Sequence, residues 1–259
     1  MHTITRISLS LPCLVVICLT IMSASGAAIT FKSSEERVSL IELYTSEGCS
    51  SCPPAETWLG RLKTSPGLWK NFVPVAFHVD YWDYLGWRDP WSKSEFSDRQ
   101  RDYAAHWHSG SIYTPGFVLD GREWRNWSGQ KDGPKMSGVK VGELTVTSPD
   151  TNRWQVNFAA TNNAGASYEV HAALLAGGLT SDVKAGENRG RRLSHDFTVL
   201  TLVQAPLIRR DGSAQGDFLL PLRRSDGGDL AIAVWVTRAG SLEPLQATGG
   251  WLVRNPVDR

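Results

Sequence analysis

A short, mostly apolar and β-prone run, Val38 to Tyr44, leads through Ser46-Glu47-Gly48 into Cys49-Ser50-Ser51-Cys52, and two prolines follow at once. Pro53 and Pro54 fit a helix only in its first turn, and Trp58, Leu59 and Leu62 supply the apolar stripe that continues it. The helix ends near Ser65-Pro66-Gly67, and Phe72 to Val79 reads as a second strand buried on both faces. Strand, helix and strand make a βαβ unit with parallel strands. Chemistry in such sheets gathers at the carboxyl ends of the strands, which is where the cysteine pair falls.

Residues 91 to 107 carry a weaker helical pattern. Gly116 to Leu119 reads as a third strand, and Asp120-Gly121 is a hairpin signal leading to Glu123-Trp124. From about Val139 the pattern changes. Alternating runs at Val141 to Thr147, Trp154 to Ala160, Tyr168 to Leu175, Phe197 to Val203, Leu230 to Val236 and Leu245 to Val253 are split by Asn, Asp, Gly and Pro, with no helix between them. Such spacing predicts an antiparallel sandwich. The expected architecture is an α/β domain over residues 36–128, a Gly-, Lys- and Ser-rich linker at Ser128 to Gly138, and an all-β domain over 139–256.

The first residues carry Arg6, an apolar run from Ile7 to Met22, and the small residues Ser23 to Ala28. This predicts a secretory signal peptide over residues 1–28, cut after Gly26 or Ala28, and a periplasmic or secreted product. The apolar run falls short of the ~20 residues that span a bilayer, and no membrane span is expected in the mature chain. Export removes Cys13 and Cys18 and leaves Cys49 and Cys52 of the four cysteines. A bridge across so short a loop removes little chain entropy, so the pair argues for chemistry rather than stapling. The mature chain carries no net charge, and nothing in it points to nucleic acid.

A cysteine at a helix start meets unpaired N–H groups and the positive end of the macrodipole, which favours the thiolate. Cys49 is thus the expected nucleophile and Cys52 the buried resolving thiol. Zinc sites also use CxxC, but no second cysteine pair exists here. Five aromatics between Tyr81 and Trp91, among them Trp82, Tyr84 and Trp87, stand on the rim of the cysteine pair. They offer either a wall for an unfolded or peptide substrate or the packing of a long loop. His106-Trp107-His108 raises copper or zinc binding with the cysteines, although histidines at a helix end also serve as capping charge. Gly186 to His195 places three arginines beside an acid and a histidine, suited to binding an anion, docking the two domains, or pairing internally.

The order strand, CxxC, helix, strand, helix, Thr-Pro, strand, hairpin resembles the thioredoxin fold. That resemblance implies a cis-proline at Thr114-Pro115 facing the cysteines, with the neighbouring backbone free to pair with substrate. It also implies a proton-relay role for Glu42, an ionisable residue in a buried strand pattern; a strand end open to water is the other reading. At closer range IELYTSEGCSSCPPAE, HVDYWDYLGWRDPW, TPGFVLDGR, GENRGRRLSH and AIAVWVTRAGSLEPLQA resemble the exported bacterial proteins of domain of unknown function family 1223. That family implies a thioredoxin-like domain with a β-rich extension.

The expected function is dithiol–disulfide exchange with exported protein or peptide thiols and disulfides, alongside a redox partner protein. Cys49, Cys52, Thr114, Pro115 and Glu42 are the expected catalytic group, and Trp82, Tyr84 and Trp87 the substrate contacts, with no cofactor and no resident metal. Two rivals stand beside it: a copper or zinc delivery module built on the CxxC and histidines, and a sandwich binding protein whose CxxC is inert.

Overall fold

The computed structural model describes residues 28–150, 152–162, 165–221 and 228–253, together with His2. The expected signal segment lies almost wholly outside the described residues. Strand β1 (Ile29–Lys32) precedes β2 (Ser39–Thr45), helix α1 (Pro53–Arg61), β3 (Phe72–His78), helix α2 (Ser94–His106), β4 (Gly116–Leu119) and β5 (Arg122–Glu123). The chain continues as β6 (Gly142–Ser148), β7 (Arg153–Ala160), β8 (Tyr168–Gly177), β9 (Leu179–Asp182), β10 (Arg192–His195), β11 (Thr198–Arg210), β12 (Ser213–Leu219), β13 (Asp229–Arg238) and β14 (Pro244–Val253).

The βαβ unit forms as its pattern predicts. β2 and β3 run parallel with Leu43 beside Ala76, and β4 joins β2 antiparallel with Gly116 beside Tyr44. Asp120 and Gly121 both take positive φ, 50° and 81°, which closes the β4–β5 hairpin as a tight turn.

The expected thioredoxin-like α/β domain followed by a separate all-β antiparallel sandwich is overturned. Among the described residues the strands form one twelve-stranded mixed sheet and a two-stranded β9–β10 ribbon. The main path runs β1-β6-β7-β12-β11-β3-β2-β4-β5, while β8 bridges β11 to β13 and β13 pairs with β14. β11 is the junction. Its Thr198 lies parallel to Ala76 of β3, its length to Leu207 pairs with β8, and its last residues turn to β12.

The physical reason is that β8 and β13 are apolar on both faces. Ala173 and Leu175 of β8, with Ala231, Ala233 and Trp235 of β13, pack into the core of α1, β2 and β3. Leu174, Ala176, Ile232 and Val234 point the other way, onto Val146, Trp154 and Phe158. A strand buried on two sides cannot face solvent, so the β-rich half supplies a wall for the CxxC half. The runs HAALLA and LAIAVWV lack the polar alternation of a sandwich surface.

Other contacts bind the same halves. The segment expected as a linker folds under α1, where Gln130 O accepts from Trp58 Nε1 at 2.9 Å, and just before it Trp58 meets Phe117, Trp124 and Trp127 edge-on at 5.3, 5.4 and 5.6 Å. Gly133 is obligatory there, because its φ is 79° and a Cβ would stand 2.6 Å from the Phe72 ring. Buried Gln246 of β14 accepts from Val38 N at 2.8 Å and donates to Gly142 O at 2.7 Å. Arg99 of α2 pairs with Glu42 of β2 through 2.8 and 3.0 Å contacts and lies over the Trp235 ring of β13.

Two outcomes follow from this single body. A fragment of residues 28–138 loses the wall made by β8, β11 and β13 and is expected to show no dispersed amide spectrum; a well-dispersed one would restore the two-domain reading. Arg99→Met strands the buried Glu42 carboxylate, and urea denaturation should register a loss of about 3–5 kcal/mol.

Candidate functional site

The turn Ser46 to Gly48 carries the chain from β2 to the cysteines. Cys49 N–H and Cys52 N–H donate to Ser46 O and Cys49 O, each at 3.2 Å, and Ala55 and Glu56 donate back to Cys52 O. Gly48 admits no side chain, since a Cβ would lie 2.8 Å from Cβ of Trp82. Cys49 and Cys52 are both free thiols and both buried. Cys49 Sγ lies 3.2 Å from Ser51 Oγ and 3.6 Å from the Thr114 carbonyl. The Thr114-Pro115 bond is cis, as the resemblance implied.

The two sulfurs are held at opposite ends of the thiol range. A hydrogen bond from Cys52 lowers the Cys49 thiol to about 6, burial opposes this, and Ser51 and Thr114 add to it. Burial pushes Cys52 well above the ordinary value, and the hydrogen bond to Cys49 and its charge add to the rise. The stabilising donor is thus the partner thiol and its neighbours, where the sequence argument invoked the helix terminus.

The site's other walls come from distant sequence. Ser50 donates from N and Oγ to Glu187 Oε2 at 2.9 and 2.7 Å. Buried Asn188 donates to Glu47 O at 2.8 Å and to Cys49 O at 2.9 Å, while Arg191 donates to Asn188 Oδ1 at 2.7 Å. The GENRGRRLSH loop therefore docks onto the cysteine turn, its acid on Ser50. Sequence reasoning missed Glu187 and Asn188 as cysteine contacts. Their signal, an Asx-bearing glycine loop before a short strand, names no partner.

Of the expected substrate residues, Trp82 donates from Nε1 to Thr114 Oγ1 at 2.8 Å and Trp87 donates to Glu47 Oε2 at 2.6 Å. Tyr84 instead faces solvent, 78% exposed. Beside the Thr114-Pro115 turn opens a cavity of about 440 Å³ lined in part by Tyr44, Trp107, Tyr113, Gly116 and Phe117. Glu42 is brought to a different place. Its carboxylate takes Arg99, Tyr103 OH at 2.6 Å and Tyr44 OH at 3.0 Å. His106 closes the last turn of α2, and it is not part of the one group of His and acidic side chains among the described residues whose ligand atoms lie close enough to hold a metal ion.

That group is Glu56, His78 and His195, all buried behind Cys52. Thr45 Oγ1, which faces Cys52, donates to Glu56 Oε1 at 2.6 Å. His195 Nδ1 contacts Glu56 Oε2 and its Nε2 lies 3.0 Å from Glu47 Oε1. His78 Nδ1 lies 2.7 Å from Asp89 Oδ2. Burial disfavours the charged imidazole of His195, but Glu56 and Glu47 outweigh it and hold the group up at about 10.

The sulfur asymmetry is directly measurable. Alkylation of Cys49 by a small reagent should rise with pH through a midpoint near 6, and Cys52→Ala should move that midpoint toward the ordinary thiol value of about 8.5. Glu187→Ala removes the contact over Ser50 and should speed alkylation at every pH without moving the midpoint.

Among solved structures the chain is similar to a crystal structure of a protein from Agrobacterium tumefaciens, at 23% identity and a TM-score of 0.56 over 86% of this chain and 97% of that one. It is also similar to HBP35 of Porphyromonas gingivalis, at 16% identity and a TM-score of 0.57 over 88% of this chain and 79% of that one. At these identities the likeness concerns the fold. No curated protein matches the chain. Over residues 40–237 it matches the family described as "Protein of unknown function (DUF1223)", a span that holds the cysteine turn, the cis-proline and the docking loop together, and the chain belongs to that family.

Proposed function

We propose that the protein is an exported thiol–disulfide oxidoreductase acting on protein or peptide substrates, with Cys49 as nucleophile and Cys52 as resolving thiol. The observation that carries this is the placement of the pair: two buried free thiols in the turn before α1, with Cys49 Sγ 3.6 Å from the Thr114 carbonyl, where the hydrogen bond from Cys52 lowers the Cys49 thiol to about 6 and burial pushes Cys52 up. An inert bridge has no use for that asymmetry.

In the reductive direction the Cys49 thiolate attacks one sulfur of a substrate disulfide. The substrate S–S bond breaks, a Cys49–substrate bond forms, and the departing substrate thiolate takes a proton from water. Cys52 then gives up its proton and attacks Cys49 Sγ. The second substrate sulfur leaves as a thiol, a Cys49–Cys52 disulfide remains, and two electrons have passed to the substrate. Run backwards, the same steps oxidise a substrate dithiol.

The remaining residues take roles that fit this chemistry. The Thr114 carbonyl and the edge before Pro115 stand beside Cys49, where a substrate backbone would dock, and the neighbouring cavity suits an apolar side chain. Trp82 fixes Thr114. Because Cys49 is buried, substrate entry requires the Glu187–Ser50 contact to open. Export rests on the amino-terminal apolar run, and among the described residues no helix is long and apolar enough to cross a membrane.

The test is mixed-disulfide trapping in extracts of the exporting cell. Cys52→Ala should accumulate covalent adducts visible on non-reducing gels, because attack proceeds and release fails. Cys49→Ala should trap almost none. Equal trapping by both variants reverses or abolishes the assigned roles, and no adducts with either removes the oxidoreductase reading.

A further inference from the structure

We propose that Glu56, His78 and His195 form a binding site for one divalent transition-metal ion that prefers imidazole and carboxylate donors, with Zn²⁺ the leading occupant. The site lies in the core behind Cys52, is distinct from the cysteine pair, and stands whether or not the thiols exchange disulfides.

The donors come from three elements, α1, β3 and β10, and one ligand atom from each lies within 4.8 Å of the others. Both histidines are already oriented as metal ligands are. His78 directs Nδ1 at the buried Asp89 carboxylate, at 2.7 Å, and His195 directs Nε2 at Glu47, at 3.0 Å. Each therefore presents its other nitrogen, His78 Nε2 and His195 Nδ1, toward Glu56. A carboxylate behind each imidazole fixes the tautomer and raises its basicity, the arrangement that accompanies metal-bound histidine.

The independent sign is His78 Nε2. It is fully buried and has no hydrogen-bond partner among the described residues, which is costly for a ring nitrogen that must otherwise donate or accept. A metal ion would satisfy it. Trp91 walls the site, its ring 5.6 Å from His78 and 4.8 Å from His195, which keeps out bulk water.

Charge points the same way. Three buried carboxylates, Glu47, Glu56 and Asp89, meet two histidines. The carboxylates outnumber the imidazoles, and a divalent cation would offset that excess of acid. Tetrahedral donors at ~2.1 Å from zinc sit ~3.4 Å apart, so the widest pair needs to close by at most about 1.5 Å, while His195 Nδ1 and Glu56 Oε2, now in direct contact, move apart to admit the ion. Two imidazoles and a carboxylate suit zinc, and an open fourth position is left for water. The ion would fasten β10, and with it the loop bearing Glu187 and Asn188, to the helix that carries Cys52.

The test is Co²⁺ titration of the purified, chelator-treated protein, with Zn²⁺ competition. One equivalent of Co²⁺ is expected, with visible ligand-field bands and without the sulfur-to-cobalt charge-transfer band of thiolate ligation. The Cys49→Ser/Cys52→Ser variant should keep that equivalent. His78→Gln should lose it, and Asp89→Asn, which leaves all three donors in place, should weaken it about 10- to 100-fold. Failure of folded wild-type protein to bind Co²⁺ or Zn²⁺ overturns the proposal, as does a charge-transfer band or loss of binding in the cysteine variant. Should His78→Gln misfold, the wild-type spectrum and the cysteine variant still decide between support and refutation.

Discussion

Burial of β8 and β13 on both faces is the constraint from which the rest of the molecule follows. A strand that carries Ala, Leu and Trp on one side and Leu, Ile and Val on the other has no side to offer water, and it must be covered twice. α1, β2 and β3 cover one face; β6, β7 and β12 cover the other. The covering also explains the route of β11, which leaves the CxxC sheet beside Ala76 and ends among the strands of the second core. The β9–β10 ribbon and the loop between its strands lie across α1 and the cysteine turn. The site is assembled from both halves of the chain because the core is.

Buried charge is handled by the same division. Glu42 sits on the α2 side of β2 and is neutralised there by Arg99, which in turn rests on Trp235. Glu47 and Glu56 sit on the α1 side and meet His195, delivered by β10. Removing any one partner leaves a charge in a medium that cannot solvate it, so each cluster fixes the relative placement of several elements at once. The cysteine pair uses the principle in miniature: the hydrogen bond from Cys52 lowers the Cys49 thiol, and burial keeps the proton on Cys52.

The local organisation was legible from residue patterns because local rules decide it. Pro53 and Pro54 mark the start of α1, Asp120-Gly121 closes its hairpin, and the parallel β2–β3 pair follows from the helix between them. The global arrangement was hidden in two runs read as alternating. HAALLA and LAIAVWV belong to strands covered on both sides, and treating them as half-exposed produced a free-standing sandwich. Glu42 was conspicuous as an acid in an apolar run, yet only tertiary placement reveals Arg99, 57 residues onward, as its partner. Glu56 and His78 gave no signal and His195 stood out only as the histidine closing the GENRGRRLSH loop, because each lies in an ordinary-looking element and their spacing matches no short metal motif. Asn188 was visible only as part of a glycine- and arginine-rich loop.

Under the proposed function, Cys49 and Cys52 form a reversible two-electron couple rather than a static pair of buried thiols. Equilibrating the purified protein with glutathione buffers of stepped reduced-to-oxidised ratio, quenching with acid, and weighing the intact chain by mass spectrometry tests it most directly. A smooth interconversion between dithiol and an intramolecular Cys49–Cys52 disulfide is expected, the same from either direction and absent when either cysteine is replaced. A chain that stays wholly reduced across the series, or that forms only glutathione adducts without closing the bridge, would contradict it.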